Sequence, residues 1–326
     1  MRSWWRKLAP ARSASGASPP GAENVLRRLE WTVIRRLDGM LQGDYRTLLR
    51  GTGLDFADLR EYQHHDDVRH IDWNVTARLT IPHVREFTED REMAAWFLVD
   101  LSPSVDFGSG EQRKRNVSAE FVAVIARLLT RHGNRVGAML YGSGVDEVIP
   151  TRGGRRHVLH VLDAIIKRPE EQAQGTTRLR ALLEGGAALV KRRSTIFVVS
   201  DFISEPGWER ALALLAQRHE VVAVRVIDPL ELELPDLGLV TMRDSETGEQ
   251  ILVDTHDKGF RTRFARIAAQ REAELREAFV AAGVDALELS TDGDLVDAVV
   301  RFAEMRKRRA RLSTGGAFPV HLQRSA

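Results

Sequence analysis

FLVDLSPSVDFGSG, residues 97–110, reads as a buried strand that ends on an acid. With the preceding AAW it forms one apolar run closed by Asp100 and then by a Gly/Ser loop, which suits a strand better than a helix. A strand that is apolar throughout, with no alternation, belongs to a sheet covered on both faces. Serines follow the acid at every second position, Ser102 and Ser104. One short loop can therefore point a carboxylate and two hydroxyls at one spot.

The same texture repeats downstream. NRVGAMLYG from Asn134, STIFVVSDF from Ser194, EVVAVRVID from Glu220 and VDALELS from Val284 are further strands, and VDEVIP turns back as an edge strand. Helical spacing of apolar residues marks Asn116–Thr130, Arg156–Lys167, Leu179–Lys191, Glu209–Gln217, Gly259–Ala282 and Asp294–Arg308. LVTMRD and EQILVDT form a hairpin across Ser245–Gly248. Strands alternating with amphipathic helices predict an α/β fold, a mostly parallel sheet with helices on both faces.

Upstream, Ala22–Met40 reads as a helix, with Val25, Leu26, Leu29, Val33, Ile34 and Leu37 at helical spacing. Residues 43–92 mix charge and aromatics densely and read as a small extra module, with short strands near Asn74–Leu79 and His83–Thr88 and with Trp73 as buried packing. The expected organisation is a disordered tail over 1–21, the helix and charged module over 22–92, the α/β domain over 93–304 and a basic tail over 305–326.

Composition narrows the function. Forty-eight Lys and Arg against forty-six Asp and Glu leave a net charge of +2, so no global field draws nucleic acid. The chain has no cysteine, which excludes disulfides and thiolate sites. No apolar run reaches the roughly 18–20 residues of a membrane span. The expectation is a cytoplasmic protein without a transmembrane segment.

In open α/β sheets, ligands bind outside the carboxyl ends of the strands. Asp100, Ser102 and Ser104 fall there, and so does Asp201 in VVSDF. Thr176 and Thr177 in the loop GTTRL precede a helix and add hydroxyls, Thr177 being favoured by its place in T-x-L. Hard cations such as Mg²⁺ or Mn²⁺ take oxygen donors of this kind. A site with few carboxylates leaves the ion electrophilic, with a position free for an outside ligand. Asp and Ser also cap helices and shape turns, so D-x-S-x-S alone is unspecific. Its recurrence with Thr and Asp at two other strand ends is what raises the metal reading.

That order of residues resembles the metal-ion-dependent adhesion site of von Willebrand factor A domains. LREYQHHDDVRHIDWNVTAR, VVSDF and DPLELELPDLGLVTMRDSETGEQILVDT further resemble the bacterial domain-of-unknown-function 58 family, over about Gly43 to Phe302. The resemblance implies a von Willebrand factor A-like fold and a non-enzymatic adaptor. It also implies a MoxR-type AAA+ ATPase as partner, in chaperone-like maturation of a client protein. One departure is His65, which stands where the family pattern leads one to expect a Gly before Asp66 and Asp67.

Other motifs have simpler readings. The cluster His64, His65, Asp66, Asp67, Arg69, His70, Asp72, Arg78 and His83 reads as a salt-bridge and hydrogen-bond network rather than a second metal site. The run MRKRRARL, Met305 to Leu312, reads as the end of a solvated helix, and GRRH at 154–157 as a helix start with exposed arginines. A phosphoesterase using Asp100 would want a second acid two residues on, where Ser102 stands. That alternative and a nucleic-acid binder rank below the interaction module.

Overall fold

The computed structural model describes residues 8–10, 21–41, 59–63, 71–79, 81–85, 94–110, 112–169, 177–244 and 249–314. Strand β1 (Leu8–Pro10), helices α1 (Ala22–Leu29) and α2 (Arg35–Leu41), strand β2 (Leu59–Glu61), helix α3 (Trp73–Leu79) and strand β3 (His83–Arg85) come first. There follow β4 (Ala94–Asp100), α4 (Lys114–Arg131), β5 (Arg135–Tyr141), β6 (Val145–Arg152), α5 (Arg155–Lys167) and α6 (Leu179–Leu189). The chain continues through β7 (Thr195–Ser200), α7 (Trp208–Arg218), β8 (Glu220–Ile227), β9 (Leu239–Asp244) and β10 (Gln250–Asp254). It ends with α8 (Lys258–Ala282), β11 (Asp285–Ser290) and α9 (Leu295–Thr314).

Six strands form the central sheet in the order β11-β8-β7-β4-β5-β6. All neighbours are parallel except the edge strand β6, which runs antiparallel to β5. The connections leave β4 toward β5 on one side and resume at β7 on the other. The carboxyl ends of β4 and β7 thus flank the point where strand order reverses, the place where a doubly wound sheet opens a crevice.

Strand pleating sends successive side chains to opposite faces, and both faces are apolar. Phe97, Val99, Phe197 and Val199 face one layer, where Leu26, Leu29, Phe121, Ile125, Leu162 and Val299 pack. Trp96, Leu98, Ile196 and Val198 face the other, against Leu182, Leu183, Leu212, Leu215 and Phe279. The expected fold class, a mostly parallel α/β sheet of von Willebrand factor A type with helices on both faces, is the one observed. The helix over 22–41 packs into that core on the side of α4 and α5.

Between α1 and α2 the helix winds through a π turn, Glu30–Ile34. Leu29 and Ile34, five residues apart, are both buried. Glu30 within the turn accepts from Arg127 Nε at 2.7 Å and from Arg155 Nε at 3.2 Å, which ties the turn to α4 and α5.

Three expectations need correction. Asn74–Leu79 lies in a helix, α3, and not in a strand. Asp72 starts it, its side chain accepting from Val75 N at 3.2 Å and its carbonyl from Thr76 N at 2.9 Å. That cap outweighs the β-propensity of Val75 and Thr76. Trp73, at the start of this helix, is 69% exposed rather than buried. The last helix runs on to Thr314, and Arg306 in its basic run is buried against Glu220 and Asp285 instead of being solvated. Residues 1–7, 11–20, 64–70, 86–88 and 315–326, the hairpin turn Ser245–Gly248 and Thr176 lie outside the described residues. So do most members of the His/Asp cluster.

Candidate metal centre at the carboxyl edge of the sheet

Asp100 is the last residue of β4 and is wholly buried. Its Oδ1 accepts from the backbone N–H of Ser102 at 3.0 Å, and its Oδ2 accepts from the Ser200 hydroxyl at 2.7 Å. Ser102 precedes a 3₁₀ turn, Pro103–Asp106, which folds the loop back. The turn brings the Ser102 and Ser104 hydroxyls within 3.2 Å of each other. Ser104 in turn lies beside the Asp201 carboxylate and favours its ionised form. The structure thus brings Asp100, Ser102, Ser104 and Asp201 into one cluster, and all four are buried.

Asp201 leaves β7 one residue beyond the strand, and the next residue turns the chain sharply. Phe202 has φ 58°, the one positive φ at a non-glycine among the described residues. A bulky aromatic adopts that conformation only when its surroundings fix it. Here Phe202 packs edge-on to Phe279, with ring centroids 4.9 Å apart, and its N–H donates to Ser200 Oγ at 2.9 Å. The turn also lets Ile203 N–H donate to Asp201 Oδ1 at 2.9 Å.

Thr177 is buried, and its carbonyl accepts from Ser204 Oγ at 2.8 Å and from Glu205 N at 3.0 Å. This fastens the loop before α6 to the loop after Asp201. The Thr177 backbone thus links this loop to the loop that leaves the cluster.

The sequence reading missed a cation inside the site. Lys114, the first residue of α4, is fully buried, with Nζ 2.7 Å from Asp201 Oδ2 and 2.6 Å from Glu231 Oε1. Burial works against its charge, but the two carboxylates overcome this and raise its pKa. Asp201 is held below the usual carboxylate range: burial opposes its ionisation, and the Lys114 charge and hydrogen bond outweigh burial. Asp100 behaves oppositely. Burial and the neighbouring Asp201 charge push it up to about 6, against the hydrogen bonds from Ser102 and Ser200.

Two more strand-end groups were missed. Asp228, just after β8, accepts from Ser109 N and from Thr291 Oγ1, both at 2.8 Å, and so pins the Gly/Ser loop to two neighbouring strands. Glu231 reaches back from a short 3₁₀ turn, Pro229–Glu231, that Asp228 caps. Beside Asp201 and Glu231 opens a cleft of about 700 Å³, lined also by Phe202, Trp208, Phe264 and Arg271.

The donor set suits a hard cation at Asp100. Its hydrogen-bond partners among the described residues are a hydroxyl and an amide, and no cation is among them. Asp201 and Glu231 share one ammonium, so with both ionised that group carries a net negative charge, and Asp100 adds its own when it ionises. Among the described residues no three His, Asp or Glu side chains form a ligand group. An ion at this edge would thus rest on hydroxyls, water and at most two carboxylates, Asp100 as its anchor and Asp201 beside it.

The family model described as "Protein of unknown function DUF58" matches residues 58–274. The chain belongs to that family. Relatives of this chain include the uncharacterized protein Rv1480 of Mycobacterium tuberculosis, 38% identical over 291 residues, covering 89% of this chain and 92% of that protein. The uncharacterized protein MAV169 of Mycobacterium avium is 33% identical over 164 residues, covering 50% of this chain and 95% of that protein. Among solved structures, BatB from Bacteroides thetaiotaomicron aligns with TM-score 0.42 at 12% identity, covering 66% of this chain and 99% of that one. The SpRpn10 VWA domain aligns with TM-score 0.35 at 13% identity, covering 64% and 94%. These likenesses are distant, and the fold of this DUF58 chain stands on its own strand order.

Proposed function

We propose that this DUF58 chain is a non-enzymatic interaction module that docks a partner protein through a divalent cation, Mg²⁺ or Mn²⁺, at the carboxyl edge of its sheet. The family and the von Willebrand factor A-like fold support an adaptor or interaction role in general. The metal reading is carried by one observation: Asp100 is a fully buried carboxylate held by an amide and a hydroxyl, with no cation among its hydrogen-bond partners in the described residues.

Asp100, Ser102 and Ser104 would hold the ion, with Asp201 and a hydroxyl from Thr176 or Thr177 completing the set. A bound Mg²⁺ supplies positive charge and an exchangeable coordination position. Asp100 anchors by charge, and the serines give neutral donors that leave that charge largely unspent. The partner's group, an Asp or Glu carboxylate, approaches from the cleft beside Asp201 and Glu231. Following the family resemblance, the partner is a MoxR-type AAA+ ATPase acting with this chain on a client protein.

The test is thermal unfolding of EDTA-stripped protein with and without millimolar Mg²⁺ or Mn²⁺, beside Asp100→Ala. A ligand at about 100 times its dissociation constant adds roughly 2.7 kcal/mol. The reading expects this shift in the wild type and none in the variant. An equal response in both, or none in either, rejects it. For docking, capture of the ATPase should be lost in EDTA and in Asp100→Ala alike.

A further inference from the structure

Lys114 sits where a lysine has little local reason to be. It opens α4, and a cation at a helix N-terminus opposes the helix dipole. Its side chain turns inward, fully buried, and its ammonium lies 5.9 Å from the Phe107 ring centre. Two carboxylates hold it there, Asp201 and Glu231. Asp201 has one oxygen, Oδ1, accepting from Ile203 N–H, and the other, Oδ2, accepting from Lys114. A cation that draws on Asp201 therefore meets an ammonium already in place.

We propose that Lys114 is a tethered rival of the divalent cation, holding Asp201 while the site is empty of metal and releasing it when a metal ion takes the same carboxylate. This rests on the metal-binding reading above. Two cations sharing one carboxylate in a buried setting repel strongly, because little solvent screens them. Lys114 can give up the contact. Glu231 stays on the ammonium at 2.6 Å, so Lys114 keeps a counter-charge when Asp201 is drawn away from it. The rivalry sets the metal affinity lower than the donor set alone would give. It also couples occupancy to Glu231, which belongs to the connection between β8 and the β9–β10 hairpin.

The experiment is calorimetric titration of the EDTA-stripped full chain with Mn²⁺, comparing wild type with Lys114→Met and Lys114→Gln. Alongside it, Lys114 in the wild type is labelled with an amine-acylating reagent and read by mass spectrometry, with and without Mn²⁺. The expected result is Mn²⁺ binding about ten-fold tighter in both variants, together with Lys114 labelling that rises on adding Mn²⁺. The labelling arm needs no variant to fold. Equal affinity in all three proteins, with Lys114 still protected in Mn²⁺, would overturn the rivalry and leave the metal reading standing. Weaker binding in the variants would also overturn it, making Lys114 an aid to the ion. Failure of Mn²⁺ to bind any of the three removes the metal reading and the rivalry together.

Discussion

The Lys114 ammonium lies 2.7 Å from Asp201 Oδ2, and solvent reaches neither side chain. The two belong to different elements, the start of α4 and the exit of β7, so the contact ties one side of the switch point to the other. Removing one partner of a buried pair leaves an uncompensated charge, and that typically costs about 3–5 kcal/mol. Lys114→Ala should lose stability on that scale in EDTA, measured by urea denaturation.

Asp100 has the opposite expectation. Its charge is buried with no cation partner among the described residues, and Asn keeps the shape while removing the charge. In EDTA at pH 7.5, Asp100→Asn should be at least as stable as the wild type, with a gain of about 1–3 kcal/mol as the upper range for relief of a buried charge. It should also lose all stabilisation by Mn²⁺. Parallel denaturation curves with and without metal check both halves.

His157 gives a pH signature away from the site. Its Nε2 lies 2.8 Å from the Val136 carbonyl, and burial, with His160 and Arg152 nearby, holds its pKa below the usual 6.5. The unfolded chain therefore takes up the proton first as pH falls. His157 contributes stability that is fully present above about pH 6.5 and is lost as the pH drops through its folded value. His157→Gln should flatten stability between pH 7.5 and 5, read from denaturation midpoints across that range.

Arg225 on β8 and Glu272 on α8 form a buried two-pronged pair. Glu272→Ala should cost about 3–5 kcal/mol, whereas the double change Arg225→Met with Glu272→Leu should cost far less. A double-mutant cycle separates the two, and equal losses in single and double variants would contradict this account.

Gly137 in β5 leaves room for a neighbour. A Cβ there would lie 2.8 Å from the Trp96 ring and 3.0 Å from the Ile149 carbonyl. Gly137→Ala should destabilise by about 1–3 kcal/mol through overpacking, visible as a lower melting temperature.

Much of this was legible in the residues. The apolar runs ending at Asp100 and Asp201 fixed the strands, and their hydroxyl neighbours pointed to the carboxyl edge. Lys114 was not legible, because KRN at a helix start looks like a solvated cap, and only the fold places it under Glu231. Glu231 hid in LELEL, where nothing local announces the short 3₁₀ turn, Pro229–Glu231, that carries it. Asn74–Leu79 misled through its β-branched residues, since a single capping acid, Asp72, decided the helix. Trp73 misled in another way: a large aromatic carries no local mark of the side it will face.

The π turn at Glu30–Ile34 makes the first helix one residue longer than its two ends require. Deleting Thr32, an exposed residue whose hydroxyl donates along its own helix to the Arg28 carbonyl, would set Ile34 four places after Leu29. Four is the interval at which an ordinary α-helix repeats a face, so Leu26, Leu29, Ile34 and Leu37 would all still meet the sheet. A one-residue deletion inside α4 would instead rotate everything beyond it by about 100°. The chain therefore carries slack at one point, and evolution or design can shorten it there without turning the core inside out.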